Sequence, residues 1–168
     1  MKFLKEYNEF GSGEFAEYDN ENGEKFWGNK GAGVLPFSKS TKRFLINLRS
    51  DYVNEPNEWG LWGGKIDEDE NIKSAVIREL EEESGYNGKI DLIDAYIFKN
   101  PNGSFKYYNF IGVIDSEFEP ILDWESADYE WVTLDELINK ENKHFGLINL
   151  LEDEKSLKII KDLVFNNI

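Results

Sequence analysis

The chain has 168 residues, which suits one domain with one sizeable core, and its 12 Phe, 8 Tyr and 5 Trp supply ample apolar material to fill it. With no cysteine and one histidine, disulfides, thiolate sites and multi-histidine zinc sites are excluded, while hard-metal chemistry on carboxylates stays open. A formal net charge of -15 repels long polyanions, whose binding rests on basic phosphate contacts, so a small substrate is expected and not bound DNA or RNA.

The start, Met1 to Glu6, lacks the apolar core of a signal peptide, and no apolar run approaches the ~18 residues of a membrane span. The expectation is a cytoplasmic protein without a membrane partner; the sequence is compatible with a homodimer. Residues 1–29, broken by Gly11, Gly13 and Gly23, read as an N-terminal extension holding one strand and packed on the domain, which spans 30–168. Gly31 to Phe37 and Arg43 to Leu48 predict strands joined by a turn at 38–42. A polar loop around Pro56 leads to the short apolar stretch 59–66. A helix is expected over 71–84, capped by Asn71 and stopped by Gly85. Ile90 to Lys99 and Phe105 to Ile114 predict a β-hairpin turning at Asn100-Pro101-Asn102-Gly103. A loop to Ser126, a short strand at Tyr129 to Val132, a helix beginning at Thr133 or Asp135 and an amphipathic helix over 155–165 complete the chain. Mixed strands and helices without repeats or a linker predict a single α/β (α+β) domain.

The helix over 71–84 is the informative element. At about 100° per residue, Val76, Ile77 and Leu80 form an apolar stripe expected to face the core, and Glu79, Glu82 and Glu83 share a neighbouring face. That acidic face is locally unfavourable. Glu79 stands at i,i+3 and i,i+4 to the other two, at roughly 0.2–0.5 kcal/mol per like-charged pair. Glu82 and Glu83 also occupy the last turn, where the helix dipole prefers cations. A bound hard dication relieves both conflicts, as does full solvation, and the helix alone leaves the two readings open.

The spacing around the helix resolves to a known motif. Gly64, Glu70, Arg78, Glu79, Leu80, Glu82, Glu83 and Gly85 occupy every fixed position of the Nudix box, with Tyr86 where that family prefers an aliphatic residue. A chance match of this length is on the order of one in a million. The strand ending at Arg49, the Trp59-Gly60-Leu61-Trp62-Gly63-Gly64 approach and the segment 130–134 also resemble Nudix domains. The resemblance implies a Nudix-type α/β/α sandwich with a mixed β-sheet. It also implies a hydrolase that cleaves a diphosphate linkage in a small nucleotide-like substrate with Mg²⁺ or Mn²⁺. The substrates it allows are nucleoside triphosphates, dinucleoside polyphosphates, ADP-ribose and nucleotide sugars. Alternatives are an inactive nucleotide-binding module and an RNA 5′-end pyrophosphohydrolase.

By the same resemblance Glu79, Glu82 and Glu83 hold the metal, joined by the carbonyl of Gly63, and Arg78 orients Glu79 and pairs with Glu70. Gly64 and Gly85 are structural members of the motif. A further acid from the loop before the last strand is expected, with Glu125 ahead of Glu117 and Glu119, and the general base is Glu125 or Glu79. Arg49 is a candidate phosphate contact, with a plain surface role equally open. Pro101 lies near where some ADP-ribose-cleaving members carry a proline, but an Asn-Pro-Asn-Gly turn accounts for it. Trp59, Trp62, Tyr107, Tyr108 and Trp124 are candidates to stack a base, weighed against core packing. His144 is expected to be structural or a surface residue.

Overall fold

The computed structural model describes residues 17–19, 25–27, 30–101 and 103–166. Two short strands, β1 (Glu17–Asp19) and β2 (Lys25–Trp27), pair with each other antiparallel. The expected extension thus carries two paired strands where one was predicted, and its packing on the domain lies outside the described residues.

The main sheet has seven strands. They are β3 (Lys30–Ser38), β4 (Arg43–Arg49), β5 (Trp59–Gly60), β6 (Trp62–Lys65), β7 (Asp91–Lys99), β8 (Lys106–Ile114) and β9 (Ser126–Val132). The spatial order is β5-β4-β3-β8-β7, with β6 also on β3 and β9 also on β4. β3 and β8 run parallel over nine paired residues while the other pairings are antiparallel, so the sheet is mixed. β3 has two partners on its other edge, β6 at Gly31–Val34 and β4 at Phe37–Ser38. Pro36, which has no N–H to donate, falls in the gap between them.

Helix α1 (Ile72–Ser84) covers one face, and α2 (Leu134–Asn139), α3 (Phe145–Glu152) and α4 (Glu154–Phe165) lie on the chain after the sheet. The period-2 alternation of strand side chains separates two cores. Ala32, Val34, Leu45 and Phe110 pack with Ala75, Val76 and Leu80 of α1. Leu35, Phe37, Phe44, Ile46 and Ile111 pack with Leu137, Leu147, Leu150 and Ile160 of the later helices. β3 is buried from Gly31 to Ser38, as a strand covered on both faces must be. The α/β/α sandwich expected from the resemblance is the observed architecture.

Three elements differ from expectation. Ile77 is 43% exposed and lies off the buried stripe, which runs through Ala75, Val76 and Leu80 into Glu83 and Ser84. The last strand starts at Ser126, three residues early, because Asn47 Nδ2 donates to Ser126 Oγ at 3.1 Å and extends the β4 pairing. α3 is not apparent from periodicity. Its N-cap is His144, whose Nδ1 accepts the N–H of Gly146 at 3.1 Å, an unusual cap that replaces the Ser, Thr, Asp or Asn signal. His144 is accordingly structural, 2% exposed, and held neutral by burial and by the nearby charge of Arg49.

Candidate active site

α1 assembles the site. Asn71 Oδ1 accepts the N–H groups of Lys73 and Ser74, at 3.0 and 3.4 Å, and starts the helix. Gly85 ends it at φ 71°, its N–H bonded to the carbonyl of Glu81 at 2.8 Å. The loop 115–125 then closes over this end. The N–H of Ile121 donates to Ser84 O at 2.9 Å and that of Asp123 to Glu83 O at 3.4 Å, satisfying carbonyls the helix leaves without partners. Ile121 covers Gly85, where an added β-carbon would lie 3.3 Å from it. The same loop is tied to the end of β4, because Ser50 Oγ donates to Trp124 O and Ser50 N–H to Glu125 O, both at 2.8 Å. Glu125 is thereby carried from a distant part of the chain to the acidic face of α1.

Arg78 organises that face. Its Nε and Nη2 donate to the two oxygens of Glu70, each at 2.9 Å, and Nη1 donates to Glu79 at 2.9 Å and to Glu82 at 3.1 Å. Nη2 also reaches the carbonyl of Lys65 at 3.0 Å. The bidentate bond to Glu70 holds the guanidinium firmly protonated and holds the Glu70 carboxyl below its usual range. The pairing with Glu70 and the contact with Glu79 expected from the motif are therefore present in this geometry.

The three acids of α1 are not equivalent. Glu82 is 57% exposed, Glu79 only 12%, and Glu83 5%. Glu83 is fixed by the N–H of Gly63, which donates to its Oε2 at 2.9 Å. Burial pushes the Glu79 carboxyl up to about 7 against the pull of Arg78, with Glu82 and Glu125 adding to the rise. Glu83 is pushed well above the usual carboxylate range by burial, then by Glu125, Glu79 and Asp123. Four carboxylates thus act on one another, with Arg78 bonded to Glu79 and Glu82 and the charge of Arg49 facing Glu83 and Glu125.

Such a set suits a hard dication, which prefers carboxylate and carbonyl oxygens. Among the described residues no three acidic or histidine side chains stand ready as a metal cage. The hydrogen bonds explain this: Arg78 draws Glu79 and Glu82 to itself and Gly63 holds Glu83. The donor chemistry fits a dication held by Glu79, Glu82 and Glu83.

A β-carbon on Gly64 would fall 2.7 Å from the Glu79 carboxylate, so the bare glycine leaves room to seat Glu79. On Gly63, at φ 154°, it would meet the carbonyl of Ala32 at 2.2 Å and the hydroxyl of Tyr107 at 2.9 Å. Tyr86, where the family prefers an aliphatic, packs its ring at a tilt on Phe118, 4.5 Å between centroids, which in turn meets Trp131 edge-on.

Of the remaining candidates, Glu117 is taken by Thr41 at 2.7 Å and Arg43 at 3.3 Å, and Glu119 is exposed. Arg49 directs Nε to the carbonyls of Asn54 and Glu55, at 2.9 and 3.1 Å, closing the 51–58 loop, and its charge also faces Glu83 and Glu125. Trp62 is fully buried, its indole N–H on Leu45 O at 3.1 Å, and Tyr107 is 5% exposed. Trp59 lies beneath Lys140, 4.2 Å from its ring. Pro101 is exposed at the hairpin turn. Trp124 alone of the aromatic candidates is largely exposed, at 53%. One residue near the site, Asp123, carries no sequence signal, because only the folded loop brings it to Glu83.

The sequence profile of the NUDIX domain matches residues 29–153. Nudix hydrolase 7 of Arabidopsis thaliana is 29% identical over 126 residues, covering 68% of this chain and 44% of its own length. A Mycobacterium tuberculosis protein provisionally named 8-oxo-dGTP diphosphatase 3 is 24% identical over 127 residues, covering 70% of this chain and 58% of its own. The chain thus spans about half the length of these curated relatives. Among solved structures, the Mycobacterium smegmatis Nudix hydrolase RenU superposes with a TM-score of 0.64 at 20% identity, covering 91% of this chain and 94% of its own. The MutT protein of Methanosarcina mazei Go1 gives 0.53 at 25% identity over 70% of this chain and 86% of its own. With its motif complete from Gly64 to Gly85 on this fold, the chain belongs to the Nudix hydrolase family.

Proposed function

We propose that the protein hydrolyses a diphosphate linkage in a small nucleotide-like substrate, using Mg²⁺ or Mn²⁺. The observation that carries this reading is the cluster of Glu79, Glu82, Glu83 and Glu125 about Gly63, where burial and mutual repulsion raise two carboxyls above their ordinary range. A fold selected for stability alone would not keep these groups together. Glu79, Glu82 and Glu83 with the Gly63 carbonyl would hold the metal, which when bound polarises phosphoryl oxygens and lowers the pKa of water. Arg78 fixes Glu79 in place, and the Gly63 N–H fixes Glu83. Arg49 is proposed to meet the substrate's phosphates, and the proton of the attacking water goes to Glu79 or Glu125. A carboxamide at the residue that serves as base removes the acidic limb of the pH–rate profile, which distinguishes the two.

The test is turnover of a substrate panel with Mg²⁺ or Mn²⁺: nucleoside triphosphates and their oxidised forms, ADP-ribose, nucleotide sugars and dinucleoside polyphosphates. Glu82→Gln, on an exposed side chain, is expected to fold normally and to lose at least 100-fold in kcat/KM. Metal binding without turnover of any member would instead support a nucleotide-binding module.

A further inference from the structure

The outer edge of the main sheet holds a cavity of about 400 Å³ that none of the four clustered acids lines. β7 is the outermost strand there, and its pairing with β8 shifts register between Asp94 and Ile97. Such a bulge is a built feature that re-aims side chains. It is held by Asn109, whose Nδ2 donates to Tyr96 O at 2.9 Å. Asn109 lines the cavity and is 3% exposed, and its Oδ1 has no hydrogen-bond partner among the described residues. A buried amide oxygen without a donor is unfavourable, and a ligand N–H or O–H relieves it. Ile72, Ile97 and Phe110 add an apolar wall.

The charges around this cavity reverse those of the chain. Against a net charge of -15, it takes Lys73 from the first turn of α1 and Lys155 from the first turn of α4, two helices that pack on opposite faces of the sheet. Among the described residues that line it Asp94 is the one acid, 3.7 Å from Lys73 with both side chains mostly exposed, a pairing worth little. α1 has no acid in its first turn, so Lys73 stands at the end of the helix where the dipole favours anions. The helix thus carries the disfavoured charge at both ends. A dication answers the acids at one end, and an anion answers the lysine at the other. We infer that this cavity is a second binding site, for a small organic phosphate monoester whose flat or apolar body bears an N–H or O–H donor. Two ammonium groups match the near double charge of a phosphate monoester better than the single charge of a carboxylate. The phosphate lies between Lys73 and Lys155, the body against Ile72, Ile97 and Phe110, and the donor on Asn109. Along the helix axis Ile72 is about 10–17 Å from Glu79 and Glu83, so the cavity fills without obstructing the carboxylates.

The experiment uses the whole chain with a chelator present, so that the carboxylate cluster holds no dication and repels phosphate. 4-Aminophenyl phosphate, phenyl phosphate, 4-aminobenzoate and inorganic phosphate are titrated while backbone amide shifts are followed by NMR. The first is expected to bind tightest. Phenyl phosphate, which lacks the donor, and 4-aminobenzoate, which lacks the second charge, should each bind about tenfold more weakly. The shifts should gather on residues 71–73, 94–97 and 108–110 and at Lys155, and leave Glu79 to Glu83 in place. Lys73→Ala and Lys155→Ala should each weaken binding about tenfold. Ile97→Trp, at a half-exposed position on the wall, fills the cavity without touching either lysine and should abolish binding. Lys161→Ala, an exposed lysine further along α4, should leave it unchanged. No probe contains a diphosphate, so the outcome stands whether or not the protein hydrolyses one. Shifts centred on Glu79 to Glu83, inorganic phosphate bound as tightly as the esters, equal weakening by Lys161→Ala, or no saturation by about 10 mM overturns the site.

Discussion

The side chains of the site are held by contacts that tolerate little substitution. Gly64 leaves room for the Glu79 carboxylate, which a β-carbon there would approach to 2.7 Å. Because the obstructed group is the end of a side chain, Gly64→Ala is expected to fold and to displace Glu79. Thermal melting should shift by no more than about 2–4 °C while kcat/KM falls about 100-fold. Arg78→Lys replaces a fork that bonds Glu70 through two nitrogens and Glu79 through a third with a single ammonium. Activity should fall at least tenfold, with kcat affected more than KM, measured by steady-state kinetics on whichever panel substrate is cut.

Among the elements, α1 is held at both ends by features separate from the chemistry. Loss of the Asn71 cap in Asn71→Ala removes the partner of two backbone N–H groups and should cost about 1 kcal/mol. That corresponds to a melting point about 2–4 °C lower for a domain of this size, with kcat at 25 °C unaltered. Gly85→Ala is a different case. It forces φ 71° on a residue with a β-carbon and presses that carbon against Ile121, in the loop that carries Glu125. The backbone strain is about 1 kcal/mol, and the shift of the loop should lower kcat as well. Comparing the two variants by melting and by rate separates helix stability from the placing of Glu125.

For the molecule as a whole, the crowded carboxylates make stability depend on pH and on metal. Glu79 is raised from an ordinary 4.5 to about 7 in the folded chain, chiefly by burial. Below about 4.5 the group is protonated in both states and its contribution is fully present. As pH rises through 7 the folded chain must ionise it in place, and that stability, at most about 3 kcal/mol, is lost. Glu83 is raised in the same direction. Melting of the metal-free protein should therefore move to lower temperature between pH 5 and 8, and Glu79→Gln should flatten the slope. Mg²⁺ should restore stability most at the upper end, and its binding should release protons that calorimetry in buffers of different ionisation enthalpy can count.

The sequence by itself determined the parts governed by local periodicity and spacing. α1 and its two caps follow from Asn71, Gly85 and the apolar repeat, and the hairpin from its Asn-Pro-Asn-Gly turn, where Gly103 takes φ 73°. The pairing of Arg78 with Glu70 and Glu79 was legible because a motif records those positions along one helix and the loop before it. Tertiary structure decided whatever depends on segments far apart in the chain. It placed Ile77 outside the core stripe and Tyr107 over Gly63, cast His144 as a helix cap, and brought Asp123 and Glu125 beside α1. The physical reason is that burial, the dominant cause of the raised carboxyls, is a property of what the whole fold packs around a residue, and no single segment of sequence carries it.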